Sequence, residues 1–305
     1  MNQYGLIEAG GTKVLLGISD AAGTISARHR IDTTSPAVVI GAAVGWFREH
    51  LPQPAAIGIA SFGPLDLAPG SATWGHVTHT TKPGWNGADV AGPFARAFGC
   101  PVGIETDVNG AALAEARWGA GVGVGSLLYL TIGTGVGGGF VSEGRLLHGL
   151  SHPEMGHIRV PRHPDDMGPD DMGPNHTAFA GVCPFHGDCL EGLASGPAVI
   201  ARWGRSLSQL EAEHQRAHQG AGMIGWYLGQ AVCSFQAVMA PARIVLGGGV
   251  MATPGLLDLV RAEAAAAGGG YFVGDPAEVV VAPGLGTDSG LLGALAVALA
   301  AAINR

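Results

Sequence analysis

Within the stretch "CPFHGDC" two cysteines and a histidine stand three apart, as Cys183, His186 and Cys189, and a carboxylate, Glu191, follows two positions later. C-x2-H-x2-C spacing lets one loop wrap three soft or borderline ligands about one ion, and zinc is the first choice. A fourth ligand has to come from upstream, where His152, His157, His163 and His176 are available. Closed four-ligand coordination makes such an ion structural, and an open position makes it catalytic. A redox pair competes, but the cysteines are not in C-x-x-C and no thioredoxin-like pattern surrounds them.

Other carboxylates stand where chemistry can use them. "SHPEMGH" sets Glu154 three residues before His157. If a metal ties His157 to the cysteine loop, Glu154 and Glu191 come together, and paired carboxylates beside an imidazole suit the hydroxyls of a sugar. In "VGIETDVNGAALAEARWG", Asp107 falls where a strand hands over to a helix. An aspartate there can take the proton of a hydroxyl that attacks a phosphoryl group. It can also simply cap the helix expected to begin at Val108.

Three glycine turns complete the chemistry-bearing set. "EAGGTK" holds Gly10, Gly11, Thr12 and Lys13; "GTGVGG" holds Gly133, Thr134 and Gly135; "LGGGVM" holds Gly247, Gly248 and Gly249. Glycines let backbone N–H groups approach anionic oxygens, and two matched hairpins plus a third turn suit the two sides of a nucleotide. "GTGVGG" also matches G-x-G-x-x-G, but a dinucleotide fingerprint needs a helix directly after it, and "GFVSEGRLL" continues as strand and turn.

The elements that must hold these residues follow from the pattern around them. "LIEAGGTKVLLGISDAAGTI" and "YLTIGTGVGGGFVSEGRLL" share one design, an apolar run, a glycine turn, a second run and a small turn at Gly23 or Gly144 leading to a third. Each predicts an antiparallel meander. Helical stretches alternate with strands elsewhere. An amphipathic run passes through Ile224, Leu228, Ala231, Phe235 and Met239, and the strand "RIVL" follows it. Thr253 and Pro254 are expected to open a further helix as N-cap and N1. The expected fold is α/β in two lobes, residues 1–120 and 121–289, with the C-terminal helix of about residues 290–305 docking back on the first. Between Pro161 and Gly181 a polar loop carries "DDMGP" twice in tandem.

Composition narrows the function classes. The chain of 305 residues has 52 glycines and only 13% charged residues, against about a quarter in an average protein. Its formal net charge of -8 offers no general attraction to nucleic acid or to an anionic membrane. No basic leader precedes an apolar run, and "SGLLGALAVALAAAI" is expected to be a buried helix, so the expectation is a cytoplasmic protein with reduced thiols.

Taken together, "EAGGTK", "GIASFGPLD", "TKPGW", "TDVNGAA", "TIGTGVGGG", "GLSHPEMGH", "PRHPDD", "CPFHGDCLEGLASGPA" and "IVLGGGVM" occur in one order from end to end. In these segments the chain resembles the ROK family of sugar kinases, and most closely its fructokinase branch. The resemblance implies a two-lobed actin-like, ribonuclease-H-like fold with an interdomain cleft. It implies ATP-dependent, Mg²⁺-assisted phosphorylation of a sugar hydroxyl, with Asp107 as general base. Gly63, Pro64, Thr106, Glu154, His157 and Glu191 would line the sugar site. The three glycine turns, with Gly196 and Pro197, would hold ATP. His157, Cys183, His186 and Cys189 would bind a structural zinc, and the protein would be a homodimer.

Three positions depart from the commoner pattern of that family. Glu8 replaces an aspartate at the first phosphate turn, and Thr106 replaces the asparagine that precedes the catalytic aspartate in glucose-type members. His186 replaces a cysteine of the metal segment. The last two also occur in the fructokinase branch and point to a ketohexose. Two other readings compete. A sugar-responsive repressor of the same family needs a DNA-binding domain before Tyr4, and a zinc hydrolase needs an open coordination position.

Overall fold

The computed structural model describes residues 2–166, 178–210 and 214–303. Most of the doubled "DDMGP" segment and the candidate ligand His176 lie outside the described residues. The chain forms two compact units, Met1–Gly119 with Gly144–Pro153 and Leu285–Arg305, and Ala120–Glu143 with Glu154–Gly284. The expectation of one unbroken second lobe from 121 to 289 is corrected in two places. Gly144–Pro153 belongs to the first unit, and the second ends at Gly284.

In the first unit, β1 (Tyr4–Ala9) turns at Gly10–Thr12 into antiparallel β2 (Lys13–Ser19), and β3 (Ile25–Asp32) pairs antiparallel with β2. Helix α1 (Pro36–His50) leads to β4 (Ala56–Ser61), parallel to β1. Helix α2 (Gly92–Phe98) leads to β5 (Val102–Thr106), parallel to β4, so the sheet order is β3-β2-β1-β4-β5. Local sequence accounts for these places. "AIGIAS" in β4 is buried at every position, as a parallel strand covered on both faces must be, whereas "ISARHRID" in β3 keeps exposed charges suited to an edge. Val39, Ala43 and Phe47, four apart along α1, form the stripe that faces the core with Phe94 and Trp85.

From β5 the chain enters α3 (Asp107–Trp118). Its N-cap is Thr106, whose hydroxyl accepts from the Asn109 amide at 3.2 Å. The helix therefore begins one residue earlier than expected, and Asp107 occupies its first turn instead of its cap.

The second unit repeats the meander with β6 (Ser126–Ile132) and antiparallel β7 (Val136–Ser142); β8 (Arg145–Leu146) follows in the chain. Helices α4 (Leu190–Ala194), α5 (Gly196–Trp203), α6 (Leu207–Leu210) and α7 (His214–Met239) precede β9 (Arg243–Gly247), which lies parallel to β6. Then come α8 (Leu256–Gly268), α9 (Pro276–Val279) and β10 (Val280–Val281), the last parallel to β9. The stripe Ile224, Tyr227, Leu228, Ala231 and Phe235 of α7 is buried, and α8 packs along that helix. Helix α8 does not open at Thr253 and Pro254. Gly255, with φ 75°, takes the N-cap in the left-handed region, and the residues before it form a turn closed by Leu256 N donating to Thr253 O.

The chain closes with α10 (Ser289–Ile303), which returns to the first unit and lies on β1, β4, β5 and α3. Gly286–Ile303 is long and apolar enough to cross a membrane, yet 56% of it is buried against this sheet. The seat is made of missing side chains. Gly58 and Gly103 are paired across β4 and β5, and a Cβ on Gly58 would stand 1.8 Å from the Ala294 carbonyl oxygen. Gly110 of α3 and Gly293 of α10 meet backbone to backbone in the same way. A buried hydrogen-bond anchor sets the helix start. Glu115, fully buried, accepts from the Leu285 amide at 3.1 Å and the Ser289 hydroxyl at 2.9 Å.

Gly58→Val is expected to lower stability by about 3 kcal/mol or more, because the α10 backbone at Ala294 and Ala298 leaves the new side chain no room. Gly41→Ala, in α1 with open space around it, is expected to raise stability by roughly 0.5–1 kcal/mol. Urea unfolding of the two variants beside the parent checks both signs, and equal midpoints would contradict the close-approach account.

Candidate active site and metal centre

In the second unit a tight turn shapes the cysteine loop. Cys183 N donates to Gly187 O at 3.2 Å, Gly187 N donates back to Cys183 O at 2.9 Å, and Gly187 itself is left-handed. Leu190 N donates to Ile158 O at 2.9 Å, which draws the loop against the residues after His157. Asp188, inside the loop, pairs with Arg159 and, at 3.2 Å, with Arg162.

These bonds bring four side chains together. The donor atoms of His157, Cys183, His186 and Cys189 all lie within 4.8 Å of one another. His157 Nδ1 stands 3.7 Å from the Cys183 sulfur, 3.5 Å from that of Cys189 and 3.2 Å from His186 Nδ1. Burial pushes the Cys189 thiol above its ordinary range, a setting that a bound cation reverses by stabilising the thiolate. Two soft sulfurs and two imidazoles at this separation fit a tetrahedral zinc. The other described candidates, His152 and His163, are engaged elsewhere. His152 Nε2 accepts from the Leu65 amide at 3.2 Å in the first unit, and His163 Nδ1 accepts from the Asp165 amide at 3.1 Å.

Beyond the cluster, His157 Nε2 lies 4.0 Å from the Glu154 carboxylate. Partial desolvation holds the Glu154 carboxyl above the usual range; negative Glu191 adds to the shift and His157 opposes it. Glu191, in the first turn of α4, accepts from the Val136 amide at 3.0 Å. That contact needs glycine beside it, since a Cβ on Gly135 would stand 2.7 Å from the Glu191 oxygen.

The same turn opens on a cavity of about 520 Å³ within the second unit, lined by Gly133, Thr134, Gly196, Pro197, Ile200 and Gly249 among others. Gly196 N donates to Gly133 O at 2.8 Å, and Val250 N donates to Ile132 O at 2.9 Å, so the turns from β6, α5 and β9 are bound to one another. Gly248 is left-handed and packs on Ile132, which explains why that turn carries glycines. Gly247 lies beneath, against the Tyr129 hydroxyl.

In the first unit, the exposed turn of Gly11, Thr12 and Lys13 is closed by Gly10 N donating to Lys13 O at 2.9 Å. The Thr33 hydroxyl donates to Gly10 O at 2.9 Å. Glu8, two residues before Gly10, sets its carboxyl against Gly290 at the start of α10, its Oε2 buried with no hydrogen-bond partner among the described residues. Burial raises its pKa, Lys13 opposes the shift and Asp288 adds to it. Gly63 and Pro64, joined by a cis peptide, follow Phe62, whose amide donates to Ala9 O at 2.8 Å. Thr106 is buried, and its oxygen already serves the α3 cap. Asp107 Oδ1 accepts from the Val108 amide at 2.9 Å.

Two groupings have no counterpart in the sequence reading. His148 Nε2 pairs with Glu105 at 3.2 Å, and the buried Asn109 donates to the same carboxylate at 3.0 Å. Asp166, fully buried, takes a two-pronged ion pair from Arg202 of α5 at 2.7 and 2.8 Å and the Tyr227 hydroxyl at 2.6 Å. This network anchors the helix whose first residues are Gly196 and Pro197. Neither grouping has a spacing signature, because each is completed by residues far along the chain, His148 in the first and Arg202 and Tyr227 in the second.

A family model described as the ROK family matches residues 4–301. A fructokinase of Zymomonas mobilis subsp. mobilis is 48% identical over 304 residues, 98% of this chain and 97% of that protein. A fructokinase of Pediococcus pentosaceus is 38% identical over 301 residues, 98% of this chain and 99% of that protein. Among solved structures, a ROK hexokinase from Thermus thermophilus superposes with a TM-score of 0.78 at 28% identity, covering 99% of this chain and 100% of that one. With its segments in family order, two glycine-turned sheets and a family match over nearly its whole length, the chain belongs to the ROK family.

Proposed function

We propose that this protein is an ATP-dependent fructokinase. The observation that carries the reading is the end-to-end similarity to fructokinases, one of them 48% identical over 304 residues. Two competing readings have no observation in their favour. Four candidate donors converge at the cluster, and an ion that took all four would have no open position for a hydrolytic water.

In this reading the purine of ATP enters the cavity beside Gly133, Thr134, Gly196, Pro197 and Gly249, and the backbone amides of Gly10–Lys13 and of the Gly247–Gly249 turn face its phosphates. The sugar is held by Gly63, Pro64, Thr106, Glu154, His157 and Glu191. Asp107 is the general base. Its carboxylate accepts from the Val108 amide in the first turn of α3, a bond that fixes the direction of the side chain. The carboxylate orients the acceptor hydroxyl and takes its proton as the oxygen attacks the γ-phosphorus and ADP departs.

Glu8 would hold the magnesium ion, and its orphaned buried oxygen fits that task. When bound, the ion neutralises phosphate charge. His157, Cys183, His186 and Cys189 would hold a structural zinc. Nδ1 of His157 faces the cluster, so its Nε2 would carry the proton and be available to Glu154 or to a sugar oxygen. The metal thus sets a histidine tautomer and the direction of α4, on which Glu191 rides.

Turnover measured over fructose, mannose, glucose and N-acetyl hexosamines should be highest in kcat/KM for fructose, and no turnover on any hexose would sink the proposal. Asp107→Asn should lower kcat by about 10²–10⁴ while the Kd values for ATP and sugar stay within a few fold; unchanged kcat would remove Asp107 from its role. Metal analysis should find one zinc per chain in the parent and none in Cys183→Ser, with a lower melting temperature, since structural sites contribute folding free energy. Full zinc content in that variant would rule out this ligand set.

A further inference from the structure

Lys82 lies in the segment "TKPGW", whose Trp85 belongs to the core of the first unit, while the lysine itself is explained neither by the core nor by the site described above. Its ammonium donates to the carbonyl oxygen of Gly11, at the tip of the first phosphate turn. The same group lies over the Phe62 ring, 5.4 Å from its centroid. Phe62 directly precedes Gly63 and Pro64, so the ammonium sits between the turn proposed for phosphate and the residues proposed for sugar.

The segment that carries Lys82 is anchored. Trp85, 1% exposed, donates through its indole N–H to Thr34 O at 2.8 Å and meets Phe62 edge-on at 4.9 Å. Trp85 N also donates to Lys82 O at 3.2 Å, and Lys82 N donates to the Thr80 hydroxyl at 3.2 Å. Among the described residues Lys82 makes no ion pair, whereas Lys13, the other cation at the turn, acts on Glu8. A lysine has three donors, and the contact with Gly11 uses one of them. An ammonium held by a carbonyl and an aromatic face, with no carboxylate to neutralise it, suits an anion.

We propose that Lys82 is a catalytic residue of the phosphoryl transfer, contacting the oxygens of the γ-phosphoryl group as it leaves ADP. This rests on the reading of the chain as a hexose kinase. The acceptor oxygen forms the new bond to phosphorus, the bond to the bridging oxygen of ADP breaks, and the proton goes to Asp107. Lys82 stays an ammonium throughout and stabilises charge that shifts among the phosphoryl oxygens.

The test compares the parent, Lys82→Met and Lys82→Arg in kcat, fructose KM, affinity for a non-hydrolysable ATP analogue, and melting temperature. Lys82→Met should lower kcat by about 10²–10³, with KM and analogue Kd changed less than threefold and melting temperature unmoved. Lys82→Arg, which keeps the charge, should recover at least about tenfold of that loss. An active parent beside a Lys82→Met variant of equal kcat overturns the proposal. So does a loss of kcat that follows a fall in melting temperature and is not rescued by arginine, because that marks a strap for the turn. A parent without hexose turnover defeats the kinase reading itself. In the parent, bound analogue with magnesium and fructose should shield Lys82 from an amine-reactive reagent; equal labelling with and without them counts against the contact.

Discussion

The hydrogen bond from the Val136 amide to the Glu191 carboxylate is the joint that ties together the candidate-site elements of the second unit. It fastens the first turn of α4, and with it the cysteine loop two residues earlier, to the β6–β7 turn that edges the cavity. The approach is possible because Gly135 has no Cβ to stand in the way. Through Gly196 N on Gly133 O the same turn reaches the start of α5, and through Val250 N on Ile132 O the turn after β9. A change in the cysteine loop is therefore mechanically joined to the residues around the cavity, through one side-chain carboxylate and then through backbone groups.

The first unit solves its positioning problem differently. Asp107 follows the edge strand β5, whose neighbour β4 is buried at every position and has to be covered on both faces. A long apolar helix, α10, provides one cover, but it can come close enough only over Gly58 and Gly103. Glu115 on α3 accepts hydrogen bonds from the chain that enters α10, so the helix bearing Asp107 and the helix covering the sheet share one buried anchor. A buried carboxylate satisfied by backbone and hydroxyl donors is tolerable, whereas one deprived of them would cost several kcal/mol, on the order of 3–5. The anchor thus specifies register as well as contributing stability.

Much of this was legible from residue order. Alternation and glycine turns announce both meanders, because a strand buried on one side has a period of two and a tight reversal needs a small residue. Other features were hidden for physical reasons. Which histidine completes the cluster is a question of folding back across the chain, so spacing alone left His152, His157, His163 and His176 open. Gly144–Pro153, rich in glycine and polar residues, has no periodicity to show that it packs with the first unit. Helix α8 starts later than Thr253 and Pro254 suggest, because a left-handed Gly255 supplies its N-cap conformation. Likewise Thr106 and Asp107 are both good caps by composition, and only the hydrogen bond to Asn109 assigns the task to Thr106.

The central claim is that the protein moves a phosphoryl group from ATP to a ketohexose and does not hydrolyse it. Phosphorus NMR of ATP, magnesium and the protein with and without fructose addresses this directly. With fructose, the γ-phosphate signal should be lost in step with equimolar growth of a sugar monoester and ADP, and without it ATP should persist. Release of inorganic phosphate as the main product, or ATP that persists in the presence of fructose, would contradict the account.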